Sequence, residues 1–247
     1  PLLEKTKNYT NKFKPLMVVK FSPDKSKNLS NEERRLDISN IYSFNRIGST
    51  DNIEEGTSLT YGFDYVKTDN KDKDIFGASL ANILRVDESK NLPNQSGLGN
   101  KASDLIGSLN YDPNDILNLN YDFSVDSNLK ELNYQLINTE FKINNFVTSF
   151  EYLNENKSNN SASYITNRTT YNVDESNNFS FETRENKTTG LTEFYNLIYE
   201  YKNDCLTAAI EYNKDYYNDG ELKPEENVFF KLTIIPFGET SSMNLLK

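Results

Sequence analysis

The stretch Lys130-Glu131-Leu132-Asn133-Tyr134-Gln135-Leu136 alternates apolar and polar side chains with a period of two residues. In an extended strand such alternation puts the apolar residues on one face and the polar residues on the other. The same pattern recurs at residues 146–152 and 206–212. No segment has a convincing 3.6-residue period over eleven or more residues, although 32–41 is compatible with one short helical or irregular segment. The chain is therefore predicted to be all-β, built from half-buried strands.

Turn residues and polar clusters separate these alternating runs into about twelve strands. No linker rich in Pro, Gly or Ser divides the chain, so a single β unit is expected. The predicted strands are 14–21, 57–67, 74–86, 103–111, 116–125, 130–140, 144–153, 162–172, 178–185, 191–201, 205–216 and 226–236.

Composition excludes several classes of function. The 247 residues include no His and one Cys, so His-dependent nucleophiles, His-ligated metals and an internal disulfide framework are all ruled out. A formal charge of -10 argues against binding nucleic acid. Acidic residues are scattered over most connectors without a defined acid–base pair, and Gly97-Leu98-Gly99 lacks the rest of a dinucleotide loop. No enzyme activity, cofactor or metal site is predicted.

The chain is polar on average, yet 13% of its residues are aromatic, with 16 Tyr and 15 Phe. Two kinds of β protein combine these properties. One is an all-β protein with a single solvated face, and the other is a membrane β-barrel with a polar lumen and an aromatic outer face.

Connector length favours the barrel. Alternate connectors of an antiparallel meander lie at opposite rims, and here one rim receives only short connectors. Outer-membrane barrels have short periplasmic turns and longer extracellular loops. The apolar, aromatic segment 228–237 suits a closing barrel strand, or alternatively a buried edge strand of a soluble protein. The short set is 68–73, 112–115, 141–143, 173–177 and 202–204, and the other is 22–56, 87–102, 126–129, 154–161, 186–190 and 217–225.

Motifs in the first half of the chain resemble a known family. Asn45-Arg46, the spaced residues Asp51, Glu54 and Gly56, and the pair Tyr61-Gly62 are similar in order and spacing to a pattern of the lipopolysaccharide-assembly LptD family. Two residues depart from that pattern, since Ser49 and Asn52 stand where the family usually has Gly and Arg.

Two later blocks extend the resemblance to about 200 residues in the family's order. Ser96-Gly97-Leu98 followed by Ser103-Asp104 resembles the family's loop and strand start, and the segment from 203 to 230 resembles its closing, cysteine-bearing hairpin. Many members carry adjacent cysteines there, whereas this chain has Asp204 before Cys205.

The resemblance implies an antiparallel transmembrane β-barrel in the Gram-negative outer membrane, of which residues 1–247 form the C-terminal portion. A periplasmic N-terminal jelly-roll domain and the first barrel strands would then lie outside this sequence. The implied function is translocation of lipopolysaccharide into the outer leaflet through the barrel and its lateral gate, with no bond broken. The implied partners are lipopolysaccharide, an LptE-like lipoprotein plug and an LptA-like periplasmic bridge.

The resemblance also assigns roles to particular residues. Cys205 would form a disulfide with the N-terminal domain, while the alternative is a small buried strand residue. The polar residues Asn45, Arg46, Asp51 and Glu54 would form a folded cap near the gate with Arg46 paired to a carboxylate, while the alternative is an ordinary solvated loop. Gly56 and Gly62 are expected to serve backbone geometry.

Two other functions remain open from the residues alone. One is a general outer-membrane porin, in which acidic lumen residues would set ion selectivity. The other is a soluble or surface-bound β-rich binding protein.

Overall fold

The fold is one antiparallel meander of thirteen strands, each hydrogen-bonded to the next in chain order. It is seen in a computed structural model that describes residues 1–32, 34–48, 52–156, 161–216 and 224–234. The strands are β1 Leu2–Lys5, β2 Tyr9–Ser22, β3 Gly56–Asp69, β4 Asp74–Arg85, β5 Leu105–Tyr111, β6 Leu117–Val125, β7 Leu132–Ile143, β8 Phe146–Asn156, β9 Ser161–Asn172, β10 Asn177–Asn186, β11 Leu191–Lys202, β12 Leu206–Asp215 and β13 Glu226–Ile234.

All twelve predicted strands are present, and the all-β prediction is confirmed. The short strand β1 was not predicted. β2 begins at Tyr9 instead of residue 14, because its mostly polar first residues pair with the end of β3. Residues 141–143 were predicted as a connector but belong to β7. Asn144 takes the left-handed conformation there, with φ 51°, so residues 144–145 suffice for the turn.

The short helix considered for 32–41 is absent from the residues that the structure describes there. The Asp37 carboxylate accepts hydrogen bonds from the backbone N–H groups of Ser39 and Asn40. Such local side-chain bonds compete with a helix and favour a turn. Gln95–Gly97 is a single 3₁₀ turn. Within the described ranges, no helix has the length and apolar character needed to span a bilayer.

The chain divides into two compact units. Unit 1 comprises residues 1–137 and 153–162, and unit 2 comprises 138–152 and 163–247. In unit 1 the sheet has two distinct faces. Met17, Val19 and Phe21 of β2 project from one face and are 72%, 65% and 73% exposed. This face is called the outer face of unit 1, and the opposite one the inner face.

The inner face of unit 1 carries the core. Five apolar residues from the connectors 23–55 and 86–104 are buried against three strand residues. The connectors therefore fold back over this face of the sheet and exclude water from it. The connector residues are Leu36, Ile41, Ile47, Leu92 and Leu98, and the strand residues are Ala81, Ile83 and Ile106.

In unit 2 the alternation is equally regular. One cross-strand row of β10 to β13 consists of Phe179, Tyr199, Ile210 and Phe230, all on one face. A row on the opposite face consists of Glu182, Asn196, Asn213 and Asn227. Unit 2 thus has an apolar face and a polar face.

The register also orders the connectors within each unit. In unit 1 the long connectors 23–55 and 86–104 join the strands at one end, and the short connectors 6–8, 70–73 and 112–116 join them at the opposite end. These two ends of the strands are called the edges with long and with short connectors. In unit 2 the short connectors 173–176 and 203–205 share one edge, while 187–190 and 216–225 share the other.

Candidate functional site

A buried ion cluster on the inner face of unit 1 joins the connector 23–55 to three strands. Its strand members follow from the register, because Lys20 of β2, Ser58 of β3 and Arg85 of β4 form one cross-strand row. Thr60 lies one inner-face position further along β3. The connector contributes Arg46 and Glu54 to this row of polar side chains.

Glu54 is the centre of the cluster, and its carboxylate accepts hydrogen bonds from three cationic side chains. Arg46 donates from Nε at 2.8 Å and from Nη2 at 2.5 Å. Lys20 Nζ lies at 2.9 Å, and Arg85 Nη1 at 2.8 Å. The side chains of Glu54, Arg46 and Arg85 are each 1% exposed. One buried carboxylate therefore faces three cations, of which Arg46 and Arg85 are as deeply buried as Glu54.

The remaining donors of Arg46 are also used. Nη1 donates to Thr60 Oγ1 at 2.8 Å, and Nη2 donates to Ser58 Oγ at 2.7 Å. Lys20 Nζ additionally donates to the Phe44 carbonyl at 2.6 Å. These bonds hold both ends of the segment 44–54 on the strands. Arg46 is therefore paired with a carboxylate in a folded connector, and the expected position of that connector near a gate stays a prediction.

Burial by itself would raise the pKa of Glu54, because a carboxylate loses solvation there. The hydrogen bonds and positive charges of Arg46 and Lys20 outweigh burial and hold the pKa of Glu54 below its ordinary value. The carboxylate is thus ionised at neutral pH, as the three cations require.

A second polar network connects the two long connectors of unit 1. The Glu55 carboxylate accepts hydrogen bonds from the Ser26 backbone N–H at 2.9 Å and from Ser89 Oγ. These hydrogen bonds, first of all that from Ser89, lower the pKa of Glu55. Arg85 donates to the Glu55 carbonyl, so the network and the ion cluster share a side chain.

A third network surrounds Asp104, directly before β5. Its Oδ2 accepts hydrogen bonds from Ser124 Oγ and Asn133 Nδ2, both at 2.8 Å. Burial nonetheless raises the pKa of Asp104. Ser103 Oγ accepts the Ile83 backbone N–H at 3.0 Å, and the Asp104 N–H donates to the Ser96 carbonyl at 2.9 Å.

Ser96 also bonds to the first connector, because its Oγ accepts the Leu36 N–H at 3.0 Å. Ser96 and Gly97 both adopt positive φ, 58° and 60°, which bends the chain so that this contact can form. Ser96 therefore links the connector 23–55 to this network, while Ser103 and Asp104 bond to the strands beside it.

The other motif residues have separate roles. Asn45 Oδ1 accepts the Gly48 N–H at 3.0 Å and closes a turn. Gly56 has φ 83° and lies against Arg85. Tyr61 projects from the outer face and is half-exposed, so it is not part of the cluster. Asp51 lies outside the described residues.

Sequence reasoning did not identify Lys20 or Arg85. Both are charged residues at inner-face positions of strands that are otherwise rich in apolar residues. A charge in such a strand is a usable signal, because a buried charge requires a partner. The partner Glu54 lies 34 residues from Lys20 and 31 from Arg85 in the chain.

Beside these networks is a polar cavity of about 730 Å³. Its lining includes Arg35, Asp104, Asn133, Tyr134 and Glu155. Arg35 stacks on the Tyr134 ring at 3.3 Å and donates to Glu155 at 3.4 Å. Such a lining offers many hydrogen-bond donors and acceptors. Across the described ranges, no group of three or more Cys, Asp or Glu side chains could hold a metal ion.

Cys205 lies in unit 2, directly before β12, at the edge of the short connectors. Its side chain is exposed, and its backbone N–H donates to Asn203 Oδ1 at 3.0 Å. The alternative of a small buried strand residue is therefore wrong, because Cys205 belongs to the turn 203–205 and not to a strand.

Comparison with known proteins gives one finding. A family model described as LptD, LPS transport system D, matches residues 1–219. No curated protein matches the chain.

Proposed function

Since the match covers residues 1–219 of 247, the chain belongs to the LptD family, and we propose that it translocates lipopolysaccharide as the C-terminal part of that family's barrel. Membership makes the chain a component of lipopolysaccharide transport and assembly in the outer membrane. The proposal adds the route, which runs through the barrel and out at a lateral gate between its first and last strands.

The observation that supports the proposal is the separation of apolar and polar faces in each unit. Unit 1 has exposed Met17, Val19 and Phe21 on the outer face, and its inner face is covered by the long connectors and carries the buried ion cluster around Glu54. In unit 2 the row containing Ile210 and Phe230 is apolar, and the row containing Asn213 and Asn227 is polar. A barrel in lipid requires this division, since lipid meets one face and an aqueous lumen the other.

Within this proposal the ion cluster has a positioning role. Glu54, Arg46 and Lys20 fasten the connector 23–55 to the lumenal side of the sheet. The edge with long connectors is then extracellular, and the edge with short connectors is periplasmic. An LptE-like lipoprotein would occupy the lumen, and an LptA-like bridge would deliver lipopolysaccharide through a periplasmic N-terminal domain outside residues 1–247.

Placing the apolar face of unit 2 in lipid can be tested with a matched pair of variants in β12. Ile210 lies on the apolar face and Asn213 on the polar face. We expect Ile210→Lys to destabilise the full-length protein by about 2–4 kcal/mol if it lies near the bilayer midplane, because lipid cannot solvate the ammonium group. In cells depleted of the native protein, the variant should be present in the outer membrane in a smaller amount, and the amount of newly labelled lipopolysaccharide at the surface should fall with it.

The control variant is Asn213→Lys, which puts the same charge on the polar face. It should assemble and sustain surface lipopolysaccharide at the native level. If Ile210→Lys is tolerated as well as Asn213→Lys, that face does not meet lipid and the barrel proposal fails. If depletion of the native protein leaves surface lipopolysaccharide unchanged, the transport proposal fails.

Cys205 is proposed to form a disulfide with the N-terminal domain. It is the one Cys among the 247 residues, its side chain is exposed, and it lies at the edge assigned to the oxidising periplasm. Non-reducing electrophoresis of the full-length protein should show an altered species that Cys205→Ser removes. The neighbouring variant Asp204→Ser should leave that species in place. Identical mobility of native protein and Cys205→Ser would exclude the disulfide.

A further inference from the structure

Aromatic side chains surround a lysine on the outer face of unit 1, close to its short connectors. Asn11 of β2, Lys67 of β3, Phe76 of β4 and Tyr111 of β5 form one cross-strand row. Asn11 is separated from the exposed residues Met17 and Val19 of β2 by an even number of positions, so the row lies on the same, outer face. Tyr9 is half-exposed and lies next to it.

Lys67 is held by an aromatic ring and not by a carboxylate. Its Nζ lies 4.1 Å from the centre of the Tyr9 ring. Over the described part of the chain no ion pair is formed by Lys67, whereas Lys73, at the same edge, pairs with Asp112 at 2.8 Å. An aromatic ring attracts the cation through its quadrupole and does not neutralise the charge, so Lys67 can still contact an anion.

The nearby carboxylate of Asp69 is already used within its turn. Its Oδ1 accepts hydrogen bonds from the backbone N–H groups of Lys71 at 2.7 Å and Lys73 at 3.0 Å. Asp69 therefore stabilises the turn 70–73. It also lines the same recess, but no ion pair joins it to Lys67 in the described part of the chain, so the Lys67 ammonium group can still contact an anion.

These side chains line a shallow recess of about 740 Å³. Tyr9, Tyr65, Phe76 and Tyr111 form its walls, and Lys67 lies among them. Phe13 to Phe21 on the same face of β2 spans roughly 26 Å along the strand at about 3.3 Å per residue, or about 20 Å of height at the tilt of a barrel strand, which is most of the roughly 25 Å apolar band of an outer-membrane barrel. Asn11, the partner of Lys67, lies just beyond Phe13. The recess is therefore at the level of lipid headgroups.

We propose that this recess binds the phosphodiester headgroup of a phospholipid in the periplasmic leaflet, with Lys67 contacting the phosphate and the aromatic rings contacting the upper acyl chains. The phospholipid is favoured by charge complementarity, because an anion is needed opposite Lys67, and by continuity of the recess with the apolar band. Tyrosine and lysine are also the side chains that commonly anchor proteins at this depth. The leaflet assignment rests on the orientation in the proposed function.

The experiment counts lipids bound to the full-length protein in a phosphate-free detergent by native mass spectrometry. Delipidated protein is titrated with phosphatidylglycerol, and the apparent Kd of the tightest site is measured. Lys67→Gln should weaken that site about fivefold, the size expected for one lysine near a charged membrane surface. Lys67→Arg should retain it. Lys73→Gln, which removes a carboxylate-paired cation at the same edge, should leave it unchanged.

Two further arms identify the ligand. Diacylglycerol, which lacks phosphate, should bind with no dependence on Lys67, and soluble glycerol phosphate should fail to displace phosphatidylglycerol. The inference is overturned if Lys67→Gln, with an unchanged melting temperature, binds phosphatidylglycerol as tightly as the native protein. It is also overturned if glycerol phosphate competes, since the site would then be a soluble-anion site.

Failure of the proposed function would have a different signature. If Ile210→Lys is tolerated as well as Asn213→Lys, the barrel proposal fails and the headgroup site fails with it. If that pair behaves as expected and no bound phosphatidylglycerol depends on Lys67, only the headgroup site is excluded.

Discussion

Replacing Glu54 with Gln is expected to release the connector 23–55 from the inner face at a cost of about 3–5 kcal/mol, the range for removing one partner of a buried ion pair. Glutamine keeps the size of the side chain and some of its hydrogen bonds. It removes the negative charge that Arg46, Arg85 and Lys20 all contact, and these cations are almost fully buried. The loss should therefore exceed that of any surface carboxylate.

Limited proteolysis of the full-length protein, followed by peptide mapping, measures this effect. Glu54→Gln should be cut within 23–55 at protease concentrations that leave the native connector intact. The matched control is Glu88→Gln, since Glu88 is an exposed carboxylate in the other long connector of unit 1. An unchanged cleavage pattern in Glu54→Gln would contradict the assignment of Glu54 as the centre of the cluster.

The same cluster predicts a direction for pH dependence. The pKa of Glu54 lies below its ordinary value of 4.5, so the folded state binds the proton more weakly than the unfolded state. The stabilisation is fully present above pH 4.5 and is lost as pH falls through the lower folded pKa. Protease resistance of the connector should be constant from neutral pH to about pH 5 and decline in stronger acid, and this decline should be missing in Glu54→Gln.

Gly62→Ala is expected to have the second large effect, because the new methyl group meets backbone atoms. An added Cβ would collide with the Leu80 carbonyl oxygen and would lie 2.8 Å from the Ala81 Cα. Overpacking costs about 1–3 kcal/mol and more when the neighbour cannot move. Here the neighbours belong to the paired strand β4, so the cost should lie at or above the upper end of that range.

The measurement is the unfolding temperature of the full-length protein in detergent, together with its yield in the outer membrane. Gly77→Ala, also in the β3–β4 pair, is the control, because its Cβ would meet only ordinary contacts from 3.5 Å outward. The Tyr42 hydroxyl also lies against Gly62, so Gly62→Ala should be repeated with Tyr42→Phe. Rescue by that second change would show that the tyrosine, and not the backbone, forbids a side chain at this position.

Much of the fold is predictable from sequence because strand alternation is local. Residues two apart share a face whatever the rest of the chain does, and this property identified twelve of thirteen strands. The missed strand, Leu2–Lys5, has too few residues to show a period, and it is recognised only through its pairing with Thr10 to Phe13. Turn residues such as Asn144 likewise act through their own φ, although the turn proved shorter than predicted.

The candidate site was predictable only in part. Arg46 and Glu54 lie eight residues apart in one connector, and the family motif contains both. Lys20 and Arg85 come from strands on either side of β3, and only the register brings them to the same carboxylate. The register of neighbouring strands likewise brings Lys67, Phe76 and Tyr111 into one cross-strand row.

The sequence alone therefore determined the β class, the position of most strands, the unequal connectors and the resemblance to the LptD family, since each depends on residue order and short spacing. It left open which face of each strand meets lipid, because alternation distinguishes two faces without saying what covers either. Tertiary structure decided which face of unit 1 is covered by protein. The long connectors bury Ile83 and Ile106 on the inner face, where Glu54 pairs with Lys20 and Arg85 of the strands, and this leaves Met17, Val19 and Phe21 uncovered on the other face.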